Sequence, residues 1–289
     1  MRASPGKWLE CSRQRDDAHP HMATAGGSGT TARALLFGLN YPGVPGCALS
    51  GCVNDVKNMA EFLAAAKPGI QVRVVDDTAA PEACTRAGIL RELGALVAAV
   101  NADPACNYVW IHYSGHGSYV RDTSGDEADG RDECLVPLDF RTAGVITDDV
   151  LVGVLAGFTR KATKVVFVSD SCHSGTVCDL KYRWTSPTTA TLDNARARAV
   201  TARVVLLSGC LDTQTSADAF GVLETTVSGR PEAGGALTGA LLNVLRKERL
   251  TDAFAVWRSV TAQLRTAGFQ QRPLLTSSFN LAKDLSLFA

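Results

Sequence analysis

The chain has 289 residues, 46% hydrophobic and 20% charged, enough to bury one large α/β core or two smaller ones. Its 29 Lys and Arg balance 29 Asp and Glu, so no global field favours nucleic acid or an anionic membrane, and selectivity for a charged substrate has to be local. Nine cysteines scattered at positions 11, 47, 52, 84, 106, 134, 172, 178 and 210 form no disulfide framework, and no apolar run approaches the ~18 to 20 residues of a membrane span.

Residues 1–31 are polar, end in GGSGTT and read as a mobile tail. Without the apolar core of a secretory signal, a reducing, cytoplasmic setting is expected, with a cleaved organelle transit peptide as the alternative. Cys11, His19 and His21 lack the paired spacing of a tetrahedral metal site.

Arg33 to Leu39 is the first expected strand, followed by a Gly/Pro loop from Asn40 to Ser50. A helix runs from Gly51 to about Ala66, with Val56, Met59, Ala60 and Leu63 at helical spacing. Asn54 or Asp55 can be read as its cap. Ile70 to Val75 reads as a second strand, and Pro81 to Val100 as a long amphipathic helix with Ile89, Leu93, Leu96, Val97 and Val100 inward. Cys84 and Cys106 read as small apolar residues.

Tyr108 to Tyr113 (YVWIHY) is a buried-strand pattern running into Ser114, Gly115, His116 and Gly117. Arg121 to Asp149 then carries Asp122, Asp126, Glu127, Asp129, Asp132, Glu133, Asp139, Asp148 and Asp149 against Arg121, Arg131 and Arg141. So many carboxylates repel one another unless a cation sits among them. A hard, oxygen-liking ion and a solvated acidic loop are both compatible with this stretch, and Asp148 also suits the N-cap of a helix from Asp149 to Ala156. Cys134 to Leu138 reads as a short strand.

Lys164 to Gly175 (KVVFVSDSCHSG) has the densest chemistry. Its β-branched run is a strand buried on both faces, and it stops at small, polar, reactive residues. In open α/β sheets that edge is where ligands bind. Two parallel strands ending alike put His116 and Cys172 on one rim, as a thiol–imidazole dyad requires: the thiolate is the nucleophile, and the imidazole removes its proton. His112 and His173 are the alternative bases. Leu180 to Thr201 is polar and lacks an apolar period, so it reads as an exposed loop, either a plain insertion or a cuttable one. Arg203 to Leu207 is a further buried strand, Gly234 to Leu250 and Thr251 to Ala267 are two helices, and Gln271 to Ser278 ends the fold. Strands alternating with helices argue a mainly parallel sheet covered on both faces.

The blocks GCVND, YSGHG, DSCHSG and SGCLDTQTSAD, in that order from about Arg33 to the C-terminus, resemble the metacaspases, caspase-like cysteine peptidases of clan CD. The resemblance implies an α/β fold, a caspase-like three-layer α/β/α sandwich with a mainly parallel central sheet. One domain, 32–289, would comprise a large p20-like part (32–180), an exposed loop (181–202) and a small p10-like part (203–289), a type I-like order without the long prodomain.

The activity implied is that of a calcium-activated endopeptidase cutting after Arg or Lys, with His116 as base and Cys172 as nucleophile. The backbone N–H groups of Gly117 and Cys172 would hold the oxyanion. Cys52, Asp55, Ser114 and Asp170 would line the pocket for the basic P1 side chain, whereas a peptidase preferring P1 aspartate would need arginines there. Asp170 can alternatively be a strand-end hydrogen-bonding residue. Ca²⁺ would bind Asp132, Asp148, Asp149 and Asp179. Autoprocessing would fall at Lys181, Arg183, Arg196 or Arg198, and the protein would be a monomer acting on protein or peptide substrates. The alternative is a calcium-independent or zymogen-like relative serving mainly as a scaffold in protein quality control.

Overall fold

The computed structural model describes residues 31–121, 131–171, 178, 180–192, 199–209, 218–220, 233–269 and 271–288. The elements are β1 (Thr31–Gly38), α1 (Cys52–Ala66), β2 (Gln71–Asp76), α2 (Arg86–Ala102), β3 (Cys106–Ser114), β4 (Gly117–Arg121), β5 (Arg131–Leu135), α3 (Phe140–Ala143), β6 (Ile146–Thr147) and α4 (Asp148–Ala156). They continue with β7 (Lys164–Asp170), β8 (Tyr182–Ser186), β9 (Thr189–Leu192), β10 (Arg203–Ser208), β11 (Asp218–Phe220), β12 (Ala233–Gly235), α5 (Ala236–Asn243), α6 (Ala253–Thr266) and β13 (Leu274–Ser277).

Eight strands form one sheet in the order β2-β1-β3-β7-β10-β13-β8-β9. The first five are mutually parallel and the last three antiparallel. The central parallel strands are apolar over most of their length because both faces are covered. Leu36, Val166 and Val168 face a core shared with α1, α5 and α6, while Leu35, Phe37, Val165 and Phe167 face one shared with α2 and α4. The fold is therefore an α/β/α sandwich, as expected. A small antiparallel sheet, β4-β5-β6, and the ribbon β11-β12 lie outside it.

Several sequence expectations need correction: the strand expected over Cys134–Leu138 is Arg131–Leu135, and the helix expected over Gly234–Leu250 is α-helical only over Ala236–Asn243, ending in a π turn over Val244–Glu248. The stretch 180–201 is not simply a loop: Tyr182–Ser186 and Thr189–Leu192 form a hairpin on the end of the main sheet, paired through β8 to β13. Trp184 explains why, since its ring is buried against Phe254 and its Nε1–H donates to Ser277 Oγ at 2.8 Å. The helix expected over Pro81–Val100 is broken into a 3₁₀ turn, Pro81–Ala83, and α2, whose N-cap Thr85 accepts from the Gly88 N–H at 3.1 Å. The first strand starts at Thr31, whose hydroxyl donates to Asp103 at 2.7 Å.

The edge formed by the strand starts is a structural seam. Lys164, the first residue of β7, is 1% exposed; its Nζ bonds Asp284 Oδ1 at 2.7 Å and the Ser286 carbonyl, and Asp284 also pairs with Arg203. Phe288 stacks on Trp110 at 5.7 Å, and Tyr108 Oη donates to the Leu287 carbonyl at 2.9 Å. Burial lowers the Lys164 pKa while Asp284 pulls it back up. Removing Asp284 would strand a buried ammonium, so Asp284→Ala is expected to cost about 3 kcal/mol in denaturant unfolding and Lys164→Met much less. Equal losses in the two variants would count against this account.

Candidate active site

The opposite edge collects the reactive residues. Three parallel strands end there in register, with Gly38 beside Ser114 and Ser114 beside Asp170. Gly38 carries no side chain for a steric reason: a Cβ there would lie 2.6 Å from the Cys52 carbonyl oxygen. The first turn of α1 can therefore sit on the end of β1, and it brings Asp55 over the strand ends. Asp55 is not a helix cap, since the N-cap is Gly51; the Cys52 N–H at the start of α1 is taken by Asn40 Oδ1 at 3.0 Å.

Asp55 and Asp170 are buried together, at 0% and 4% exposure. Ser114 Oγ donates to Asp55 Oδ2 at 2.6 Å, and the Gly235 N–H donates to both Asp55 oxygens at 2.9 and 3.0 Å. The Thr238 N–H and hydroxyl both donate to Asp170 Oδ2 at 2.8 Å. A Cβ on Gly235 would fall 2.2 Å from Asp170 Oδ2 and 2.8 Å from Asp55 Oδ2, so both carboxylates close on this one glycine at the start of α5. Cys52 lies one turn before Asp55, its thiol near enough to Tyr41 and Tyr113 to raise their phenol pKa values further above the rise caused by burial.

His116 follows β3 and is half-buried. Its Nε2 lies 2.8 Å from the Cys47 carbonyl oxygen. A carbonyl only accepts, so Nε2 carries the proton and Nδ1 keeps the lone pair a general base uses. Tyr41 fixes the residue from below: its ring packs 4.6 Å from the imidazole, and its phenol oxygen accepts the His116 N–H at 2.9 Å. Tyr41 reaches this position with φ of 55°, a left-handed backbone uncommon for a bulky residue and typical of strained functional loops. Gly117 opens β4. Cys172 and His173 lie outside the described residues.

His112, the alternative base, is fully buried in mid-strand with Nε2 3.1 Å from Thr238 Oγ1. Burial pushes its pKa down to about 3, so it stays neutral near pH 7. The unfolded chain takes up a proton near pH 6.5 that the folded chain refuses until about 3. Its contribution is therefore intact above pH 6.5 and falls by up to ~1.4 kcal/mol per pH unit on acidification below it. Urea midpoints at pH 7 and 5 should drop more for wild type than for His112→Gln; equal drops would refute this assignment.

The acidic stretch is only partly described. The register of β5 on β6, Cys134 opposite Thr147, brings Asp132 beside the start of α4. Asp132 and Asp148 are buried and Asp149 is exposed. Asp148 lies within α4, whose N-cap is Thr147, and its Oδ1 accepts the Asp149 N–H at 2.7 Å. Burial and the neighbouring charges of Asp148, Glu133 and Asp132 push the Cys134 thiol up to about 12. Oxygen-only donors suit a hard cation. Among the described residues, no three acidic, His or Cys side chains converge into a set that could hold a metal ion, and Asp179 lies outside them.

Sequence reasoning missed Tyr41, the Cys47 carbonyl, Gly235 and Thr238. Tyr41 was hidden in a Gly/Pro loop, Cys47 contributes a backbone atom, and Gly235 and Thr238 act across long sequence separations. Tyr41 alone carries a signal in the sequence, as the only aromatic residue between the first strand and GCVND.

The profile of the metacaspase peptidase C14 domain matches residues 32–181. Metacaspase-1 of Ajellomyces capsulatus is 30% identical over 88% of this chain and 81% of its own length, and metacaspase-2 of Trypanosoma brucei brucei is 33% identical over 86% and 74%. The crystal structure of protein GSU0716 from Geobacter sulfurreducens superposes with a TM-score of 0.59 at 29% identity, covering 86% of this chain and 93% of that one. With this match across both the strand-end motifs and the sandwich that carries them, the chain belongs to the metacaspases, cysteine peptidases of family C14.

Proposed function

We propose that the chain is a calcium-activated endopeptidase that cuts after arginine or lysine. The observation that carries the substrate side is the burial of Asp55 and Asp170 around Gly235 at the sheet edge. Two carboxylates held so close favour a cation between them, and the planar guanidinium of arginine can bond both. Lysine offers a point charge and a looser fit.

In the reaction, Cys172 Sγ gives its proton to His116 Nδ1 and attacks the scissile carbonyl. The oxyanion would be met by backbone N–H groups of Gly117 and Cys172. Collapse breaks the C–N bond as His116 passes the proton to the leaving amine. Water, deprotonated by His116, then hydrolyses the thioester and frees Cys172. Calcium at Asp132, Asp148, Asp149 and Asp179 would relieve the mutual repulsion of those carboxylates.

Autoprocessing is part of the reading. A peptidase needs an extended, unpaired segment, and Arg183 lies in β8 between β13 and β9, opposite Thr276 and Thr191. Lys181, which is exposed, is the favoured described position, with Arg196 and Arg198 outside the described residues.

The test is hydrolysis of matched fluorogenic peptides with P1 Arg, Lys or Asp, with calcium and with chelator, by wild type and Cys172→Ala. Cleavage after Arg and Lys, abolished by chelator and by the substitution, supports the reading. Calcium-insensitive cleavage removes the ion from it, and cleavage after Asp overturns the pocket. An inactive wild type would favour the scaffold alternative.

A further inference from the structure

The pocket carboxylates lie on α1 and β7, yet their described partners include two groups from the other end of the chain, Gly235 and Thr238 at the start of α5. Thr238 is the more informative. It is fully buried, and its amide and hydroxyl both end on Asp170 Oδ2. A threonine hydroxyl has one proton; given to the carboxylate, it leaves the oxygen able only to accept. His112 Nε2, 3.1 Å away, must then be the N–H donor to Thr238. This fixes the His112 tautomer. Its Nδ1 is buried and, among the described residues, makes no hydrogen bond, as suits a ring held neutral by burial.

The result is a directed chain of buried groups, imidazole to hydroxyl to carboxylate, from the middle of β3 to the end of β7. Two bonds converging on one oxygen fix the carboxylate plane, so the bearing of Asp170 Oδ1 is set as well. Recognition of a guanidinium depends on that plane, because its paired N–H groups meet acceptors only in a narrow arrangement. Asp55 is set from the same helix start through the Gly235 N–H. The mutual placement of the two carboxylates therefore follows from how α5 docks.

We propose that Thr238 is a positioning residue for P1 recognition, orienting Asp170 through its amide and hydroxyl while His112 holds that hydroxyl in place. The proposal rests on the reading that Asp55 and Asp170 receive a basic P1 side chain. It makes arginine more sensitive than lysine to loss of the hydroxyl, since a single ammonium tolerates a rotated carboxylate better than a planar fork does. The hydroxyl does not touch the reacting atoms, so thiol chemistry should not depend on it.

The experiment compares wild type, Thr238→Val, which keeps the shape and removes the hydroxyl, and Thr238→Ser, which keeps the hydroxyl. Steady-state kinetics on matched P1 Arg and P1 Lys peptides are paired with the rate of thiol alkylation by iodoacetamide, an uncharged reagent that needs no P1 pocket. For Thr238→Val the expected result is a rise of about tenfold in KM for the arginine peptide, a smaller rise for lysine, and kcat and alkylation within about twofold of wild type. Thr238→Ser should restore the arginine KM.

A parallel fall in kcat and alkylation would mark a merely structural role and overturn the proposal, as would wild-type kinetics in Thr238→Val. Should Thr238→Val fail to fold by circular dichroism, Thr238→Ala takes the same comparison with the same deciding outcomes. A wild type that cleaves neither basic peptide overturns the basic-P1 reading and this assignment with it, whereas wild-type cleavage that Thr238→Val leaves unchanged overturns this assignment alone.

Discussion

Replacing His116 with alanine is expected to lower kcat/KM for a basic-P1 peptide by about 10³- to 10⁴-fold, with little change in KM. The imidazole is asked to do two things that no other histidine among the described residues can take over. It must hold a lone pair toward the nucleophile and later release a proton to the leaving amine. The Cys47 carbonyl secures the first by fixing the proton on Nε2, and Tyr41 holds the ring in that pose from beneath. His112 cannot substitute, because it is locked inside the sheet and its pKa is held near 3. The measurement is kcat/KM together with the pH dependence of thiol alkylation. In the variant the alkylation rate should follow an unassisted thiol, rising only toward pH ~8.5. Activity within tenfold of wild type, or an unchanged alkylation profile, would remove His116 from the mechanism.

Much of this edge is legible in the sequence because parallel strands covered on both faces are apolar along most of their length. YVWIHY and KVVFV announce themselves, and the polar residues that end them are the ones that reach the rim. Register then does what no motif can: Gly38, Ser114 and Asp170 align across three strands, and only the sheet order shows it. The antiparallel end was hard to read for the opposite reason. β8 and β9 (YRWTS and TATL) sit at the sheet margin, where one side is solvated and Thr, Ser and Arg are acceptable, so their composition mimics a loop. What identifies β8 as a strand is Trp184 against Phe254, a contact between residues far apart in sequence.

The supports of the site were invisible for a related reason. The partner of His116 is a main-chain oxygen, and those of Asp55 and Asp170 include main-chain N–H groups from α5. Backbone atoms have no letter in the sequence. Gly235 is informative only once a Cβ placed there is seen to strike both carboxylates. The same geometry divides labour between the two edges of the sheet. Lys164, Asp284 and the C-terminal aromatic stack stabilise the strand starts, leaving the strand ends to hold buried negative charge that contributes nothing to folding by itself.

That buried charge sets the second large effect. Asp55→Asn and Asp170→Asn are each expected to lower kcat/KM for a P1 arginine peptide by about 10²- to 10³-fold, the loss typical of removing one partner from a buried charged hydrogen bond. Both variants should fold. In Asp170→Asn the amide oxygen can still accept the two donors of Thr238. In Asp55→Asn it can accept the Gly235 N–H while the Ser114 hydroxyl turns to accept from the amide nitrogen. The two effects should not multiply, because the carboxylates close on one glycine and act on one ligand; the double variant should fall short of the product of the singles. Thiol alkylation should stay near wild type throughout, since His116 is untouched. If instead arginine and uncharged-P1 peptides lose rate equally, the aspartates support the nucleophile's surroundings and do not select the substrate. If the singles multiply fully, they do not share a ligand, and the basic-P1 pocket has to be sought elsewhere on the strand ends.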